Sequence, residues 1–154
     1  MQLKRDTDYA LRVLFCIQDN QEIGRQAKGM RPSELSSRSG VPKLAIRRIC
    51  EQLSDGDILQ YRVVSAVRGK AKEERAYYSR DGFAGITLLD VVETMEGTGK
   101  IFSVFDQQSP MYGKCEEQIL AVQDKAEQTL RSVSLKTFLG MHNFVYLIKM
   151  KENL

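Results

Sequence analysis

Apolar and polar positions alternate along this chain in blocks that predict several helices and one hairpin. Tyr9, Ala10, Val13, Leu14 and Ile17 recur at helical spacing, with Thr7 as a candidate N-cap and Asp19-Asn20 as a helix end. After a polar connection, Pro32-Ser33-Glu34-Leu35-Ser36-Ser37-Arg38 reads as a short helix, and Gly40 supplies a turn. A further helix opens at Pro42. Its Ile46, Ile49, Cys50 and Leu53 fall on an inward face, leaving Lys43, Leu44, Ala45, Arg47 and Arg48 to look outward. Ser54-Asp55-Gly56-Asp57 breaks that helix. Ile58-Leu59-Gln60-Tyr61-Arg62-Val63-Val64 then predicts a strand, with Arg75-Ala76-Tyr77-Tyr78-Ser79 as its return partner.

Thr87-Leu88-Leu89-Asp90 fits a capping-box start, followed by an apolar face of Leu88, Val91, Val92 and Met95 up to Gly97. Beyond a segment containing Gly, Ser and Pro comes the longest regular pattern. Ile119, Val122, Ala126, Leu130 and Val133, spaced by three and four, predict an amphipathic helix of about five turns. Near the end, Phe144-Val145-Tyr146-Leu147-Ile148 is an apolar run that periodicity assigns equally to strand or helix.

Short helix, tight turn, basic amphipathic helix and hairpin, in that order, make a winged helix-turn-helix. The predicted fold class is therefore mainly α with a small β-hairpin wing, followed by a long C-terminal dimerisation helix. The expected organisation is a DNA-binding domain over residues 1–82, a connecting helix and loop over 83–113, and the dimerisation helix with a C-terminal segment over 114–154. A helix with a basic outer face can lie in a major groove. The long helix carries more apolar stripe than it could leave exposed. It packs either on its own domain or on a second copy; two-fold proteins read paired half-sites, which favours the homodimer.

Charge sharpens this picture. Residues 1–80 hold 16 Lys and Arg against 10 Asp and Glu, a net +6, whereas residues 81–154 hold 7 against 10, a net −3. The positive half is the one with the helix-turn-helix pattern, as expected of a phosphate-facing module. At the wing tip, Arg68, Lys70 and Lys72 can sit against phosphates and Gly69 lets the backbone turn. No stretch has the length of a membrane span and no apolar leader opens the chain, so a cytoplasmic protein is expected. Three widely spaced cysteines, Cys16, Cys50 and Cys115, argue against a disulfide framework. A single histidine, His142, and the absence of a phosphate-cradling loop leave no assembled catalytic constellation, so no enzyme is expected.

The opening Met1-Gln2-Leu3-Lys4-Arg5-Asp6-Thr7-Asp8-Tyr9-Ala10-Leu11-Arg12, the wing motif Ser65-Ala66-Val67-Arg68-Gly69 and the stretch Ile86-Thr87-Leu88-Leu89-Asp90-Val91-Val92-Glu93 resemble the Rrf-two family of winged-helix bacterial transcription regulators, the IscR, NsrR and CymR type. These motifs span most of residues 1–96, and the long helix is similar to the family's dimerisation helix. The resemblance implies sequence-specific binding of double-stranded DNA by a homodimer, with repression the commoner outcome. It also implies that Leu44, Ala45 and Arg47 face bases and that Arg68 reaches the minor groove. Arg47 can contact guanine with both arms of its guanidinium, and Lys43, Arg48 and Lys70 suit phosphates.

The chain departs from the family in two places. The wing continues Lys70-Ala71-Lys72-Glu73-Glu74-Arg75 where the family has a glycine-rich run. The positions that resemble the three cysteine ligands of iron-sulfur members read Ser103, Ser109 and Cys115, and the position resembling a histidine ligand is Gln118. Asp8, a ligand in other members, is present. Two hydroxyls in place of thiolates remove most of such a site, so no cofactor or metal is expected. Cys115 is then a candidate redox thiol near the start of the long helix, favoured by the helix dipole and Lys114 and opposed by Glu116 and Glu117. The competing functional class is a signalling module that binds a metabolite or partner protein, with DNA release as its output.

Overall fold

The computed structural model describes residues 3–22, 28–65, 73–97 and 112–140. Its elements run α1 (Arg5–Glu22), α2 (Pro32–Ser39), α3 (Lys43–Asp55), β1 (Gln60–Ser65), β2 (Glu74–Tyr78), α4 (Leu88–Glu96) and α5 (Tyr112–Ser132). A further short helical segment follows at residues 135–140. This is a mainly α-helical fold with one two-stranded hairpin and a long helix toward the C-terminus.

α1 is the scaffold on which α2, α3 and α4 pack. Its Ala10, Val13, Leu14 and Ile17 are buried against Leu35 of α2, Ile46, Ile49, Cys50 and Leu53 of α3, and Val91 and Met95 of α4. Each fully buried Leu or Ile in such a cluster contributes about 1.5–3 kcal/mol, so this core holds α3 in place and leaves the helix's other side free.

Thr7 does not cap α1. The helix starts two residues earlier, at Arg5, and the Thr7 hydroxyl donates instead to Glu96 Oε1 at the end of α4, 2.5 Å away. The backbone N–H of Lys4 donates to the same oxygen at 2.8 Å, which pins the beginning of α1 to the end of α4. Nor does α1 stop at Asp19-Asn20. It runs on to Glu22, because Asn20 and Gln21 are buried and Gln21 Nε2 donates to the Ser79 carbonyl at 2.6 Å.

The turn between α2 and α3 is built as its residues predict. Pro32 occupies the first turn of α2, Gly40 caps it in the left-handed region at φ 72°, and Gly40 N–H donates to the Ser36 carbonyl at 3.1 Å. α4 has the full capping box: the Thr87 hydroxyl accepts from Asp90 N–H at 3.2 Å, and the Asp90 carboxylate accepts from Thr87 N–H at 2.8 Å.

β1 and β2 pair antiparallel, from Gln60 opposite Tyr78 to Ser65 opposite Glu74, with an irregularity between Val63 and Ser65. Ile58 and Leu59 precede the strand rather than opening it. Their N–H groups donate to the Leu53 carbonyl at 2.9 and 3.1 Å, and their side chains close the core below α3. Met30 adds a two-hydrogen-bond bridge on the other side of β2, through Tyr77. Gly29 permits this approach: a Cβ there would stand 3.2 Å from Ala76 and from the Tyr77 carbonyl, and its φ is 67°. α5 packs on α4, and its end is tied to the start of α4 by Leu88 N–H to the Val133 carbonyl, 2.9 Å, and Leu135 N–H to the Ile86 carbonyl, 2.8 Å.

Candidate nucleic-acid interface

α3 separates cleanly into two faces. Ile46, Ile49, Cys50 and Leu53 are buried, while Lys43, Leu44, Arg47 and Arg48 are exposed. Leu44 is 93% exposed, an unusual position for a leucine that nothing among the described residues covers. A free apolar side chain flanked by three cations suits contact with a thymine methyl between phosphates. Ala45 stands four residues before buried Ile49, so it turns partly onto the core and is not on the open face.

Arg48 is already engaged. One of its guanidinium nitrogens donates to both carboxylate oxygens of Asp6, each at 2.8 Å, so α3 is latched to the first turn of α1. A phosphate contact from Arg48 has to share or displace this exposed pair, which costs no more than about 1 kcal/mol. Lys43 and Arg47 face a cleft of about 310 Å³ between α3, the start of α2 and β2, lined also by Pro32, Ser33, Glu51, Glu73, Glu74, Arg75 and Tyr77.

The hairpin carries a stacked cation on each face, Arg75 beside this cleft and Arg62 on the opposite face, which sequence reading did not pick out. Arg75 lies over the Tyr61 ring at 4.1 Å and pairs with Glu73 at 3.7 Å; Arg62 lies over the Tyr78 ring at 4.8 Å. Arg–aromatic contacts of this kind stiffen a hairpin base by about 0.5–1 kcal/mol at exposed sites. The cross-strand pairing of Tyr61 with Tyr77 is the only trace of it in the sequence, and it becomes visible once the register is known. Arg68, Gly69, Lys70 and Lys72 lie outside the described residues, as do Ser103, Ser109 and His142.

On α5, Ile119, Ala126 and Leu130 are half-buried, and Val133, just past the helix, is too. Val122 is 53% exposed, and its neighbour Gln123 takes the covered place instead, donating to Glu127 at 2.9 Å. Leu120 is likewise exposed, but at two residues' spacing it leaves α5 on nearly the opposite side from Val122.

The three cysteines sit in different surroundings. Burial pushes the Cys50 thiol up to about 12, and burial is also the main cause that raises Cys16, against a lowering contribution from Arg38. Cys115 is exposed on the first turns of α5. Asp8 is held by Arg12 at 2.9 Å. Among the described residues no three His, Cys, Asp or Glu side chains converge in a way that could hold a metal, and no helix is long and apolar enough to cross a membrane. A paired Asp8 and a lone exposed thiol do not fit an iron-sulfur cluster.

No protein-family model and no curated protein matches this chain. Solved structures do share its fold. CymR, the global cysteine regulator of B. subtilis, is similar with a TM-score of 0.66 over 92% of this chain and 98% of that one, at 14% identity. Staphylococcus aureus CymR is similar with a TM-score of 0.62 over 88% of this chain and 96% of its own, at 15% identity. T. potens IscR gives 0.60 over 92% and 88%, at 13% identity. At such identities the likeness is one of fold: a winged helix-turn-helix followed by a long helix, matched along nearly the full length of each partner.

Proposed function

We propose that this chain is a member of the Rrf-two family and acts as a homodimeric transcriptional regulator, a repressor in its main mode, that reads an inverted-repeat operator in double-stranded DNA without an iron-sulfur cluster. The observation that carries this reading is the outer face of α3, where Lys43, Arg47, Arg48 and an almost wholly exposed Leu44 stand on a helix locked to the core by its other side. In the mechanism, α3 enters the major groove by its basic first turns. Arg47 supplies the base contact, Lys43 and Arg48 meet phosphates, and Arg68 reaches into the minor groove from the wing. The stripe of α5 that carries Ile119, exposed Val122, Ala126 and Leu130 joins two copies so that two recognition helices meet successive half-sites.

The test is selection of genomic fragments by the purified metal-free protein, followed by titration of the recovered site at several salt concentrations. One enriched inverted repeat, with affinity falling steeply as salt rises, is expected. Arg47→Ala should lower affinity for that site by about 1–3 kcal/mol and relax preference at one base pair per half-site. Sequence-blind binding by the wild-type protein would sink the proposal.

A thiol-based second reading is favoured by one observation: Cys115 is exposed while Cys50 is buried and inert. One of the similar structures is of Staphylococcus aureus CymR in oxidized form. Peroxide treatment that changes operator affinity of the wild type and not of Cys115→Ser would support it; equal affinity before and after would remove it.

A further inference from the structure

We infer that Glu51 is a specificity-determining residue of the recognition helix, accepting a hydrogen bond from the exocyclic amine of a cytosine in the operator. The inference rests on the DNA-reading function proposed above and deepens it. Glu51 stands seven residues after Leu44, so the two side chains leave α3 within about 20° of each other. Both therefore point away from the buried row of Ile46, Ile49, Cys50 and Leu53. Glu51 lies about 10 Å further along the helix than Leu44, the span of roughly three base-pair steps.

Its carboxylate is exposed and makes no hydrogen bond or ion pair among the described residues. The other acids around the same cleft differ in this respect. Glu73 is paired with Arg75 at 3.7 Å and Glu74 with Arg31 at 3.7 Å, and Arg75 is further occupied by the Tyr61 ring. Among the described residues, Glu51 is thus an unpartnered negative charge on the centre line of a face that otherwise presents Lys43, Arg47 and Arg48.

Brought against polyanionic DNA, such a charge is repelled unless it finds a donor. In the major groove the donors are the N4 amine of cytosine and the N6 amine of adenine. Adenine presents its amine beside the N7 acceptor, which a carboxylate meets unfavourably, whereas cytosine offers the donor alone; cytosine is therefore the base that fits. Arg47, one turn earlier on the same side of the helix, suits guanine, so the pair favours G·C-containing half-sites.

The test compares wild type, Glu51→Ala and Glu51→Gln on the operator recovered by genomic selection and on its complete set of single base-pair substitutions. Wild type should discriminate about tenfold or more in favour of cytosine at one position per half-site. Glu51→Ala should lose that discrimination and keep the rest of the profile, and Glu51→Gln should shift the preference at that position toward adenine. Circular dichroism checks that both variants are folded. If both variants change affinity uniformly across all sites, Glu51 acts only through its charge and the inference is overturned while the regulator reading stands. If wild type itself shows no sequence preference, the regulator reading falls and this inference falls with it.

Discussion

Single side chains here do different work according to what surrounds them, and the cysteines give the clearest contrast. Cys50 lies on the core-facing side of α3, where burial holds the thiol protonated up to about pH 12 against a usual value of 9.0. In the unfolded chain the thiol ionises at its ordinary pKa. Stability from the neutral buried thiol is therefore fully present below about pH 9 and is lost as pH rises toward 12, by an amount on the order of a few kcal/mol. Burial raises the Tyr77 hydroxyl as well, in the same direction. The expected outcome is alkaline destabilisation that Cys50→Ala partly flattens, measured by denaturant midpoints from pH 7 to 11. Alkylation of the native protein should proceed at exposed Cys115 well before Cys50; a Cys50 that reacts first would show that the core around α3 opens readily.

At the scale of elements, the helices are placed by their ends as much as by their apolar faces. The Thr87–Asp90 box starts α4 beside the strand-like contact with residues 133–135, so cap and tertiary bridge stabilise the same turn. Thr87→Ala should cost about 1 kcal/mol, a fall in Tm of roughly 2–4 °C, read by thermal unfolding; no change would mean that the bridge alone fixes the start of α4. The first turn of α1 plays a similar part for two neighbours, holding Glu96 through Lys4 and Thr7 and Arg48 through Asp6. This is where the end of α4 and α3 share a support.

For the whole molecule, the proposed regulator uses the α5 stripe that carries Val122 for a second copy and the exposed face of α3 for a nucleic acid. Val122→Glu would place a charge in the proposed seam between copies, at a cost on the order of 2 kcal/mol or more. Sedimentation should then report monomers at concentrations where the wild type is dimeric, and operator affinity should fall with it. A variant that stays dimeric would place the seam elsewhere. Because Val122 is exposed in the single chain, its replacement should leave the helical content unchanged.

Much of this architecture was legible in the order of residues. Local chemistry writes the helix-turn-helix: proline at a first turn, glycine at a left-handed cap, an inward row of Ile46, Ile49, Cys50 and Leu53, and a Thr-x-x-Asp box are all short-range patterns whose physics lies within a few residues. The open basic face of α3 follows from the same periodicity. What the residue order left open needed neighbours distant in sequence. Thr7 looked like a cap until α4 brought Glu96 to its hydroxyl, and Arg48 looked free until α1 brought Asp6. Ala45 and Val122 belonged to predicted faces whose width only packing could set, and Glu51 gained meaning when Glu73 and Glu74, the other acids around its cleft, proved to be paired. Periodicity tells which side of a helix is apolar; which polar groups remain unpaired depends on long-range contacts, and those exist only in the folded chain.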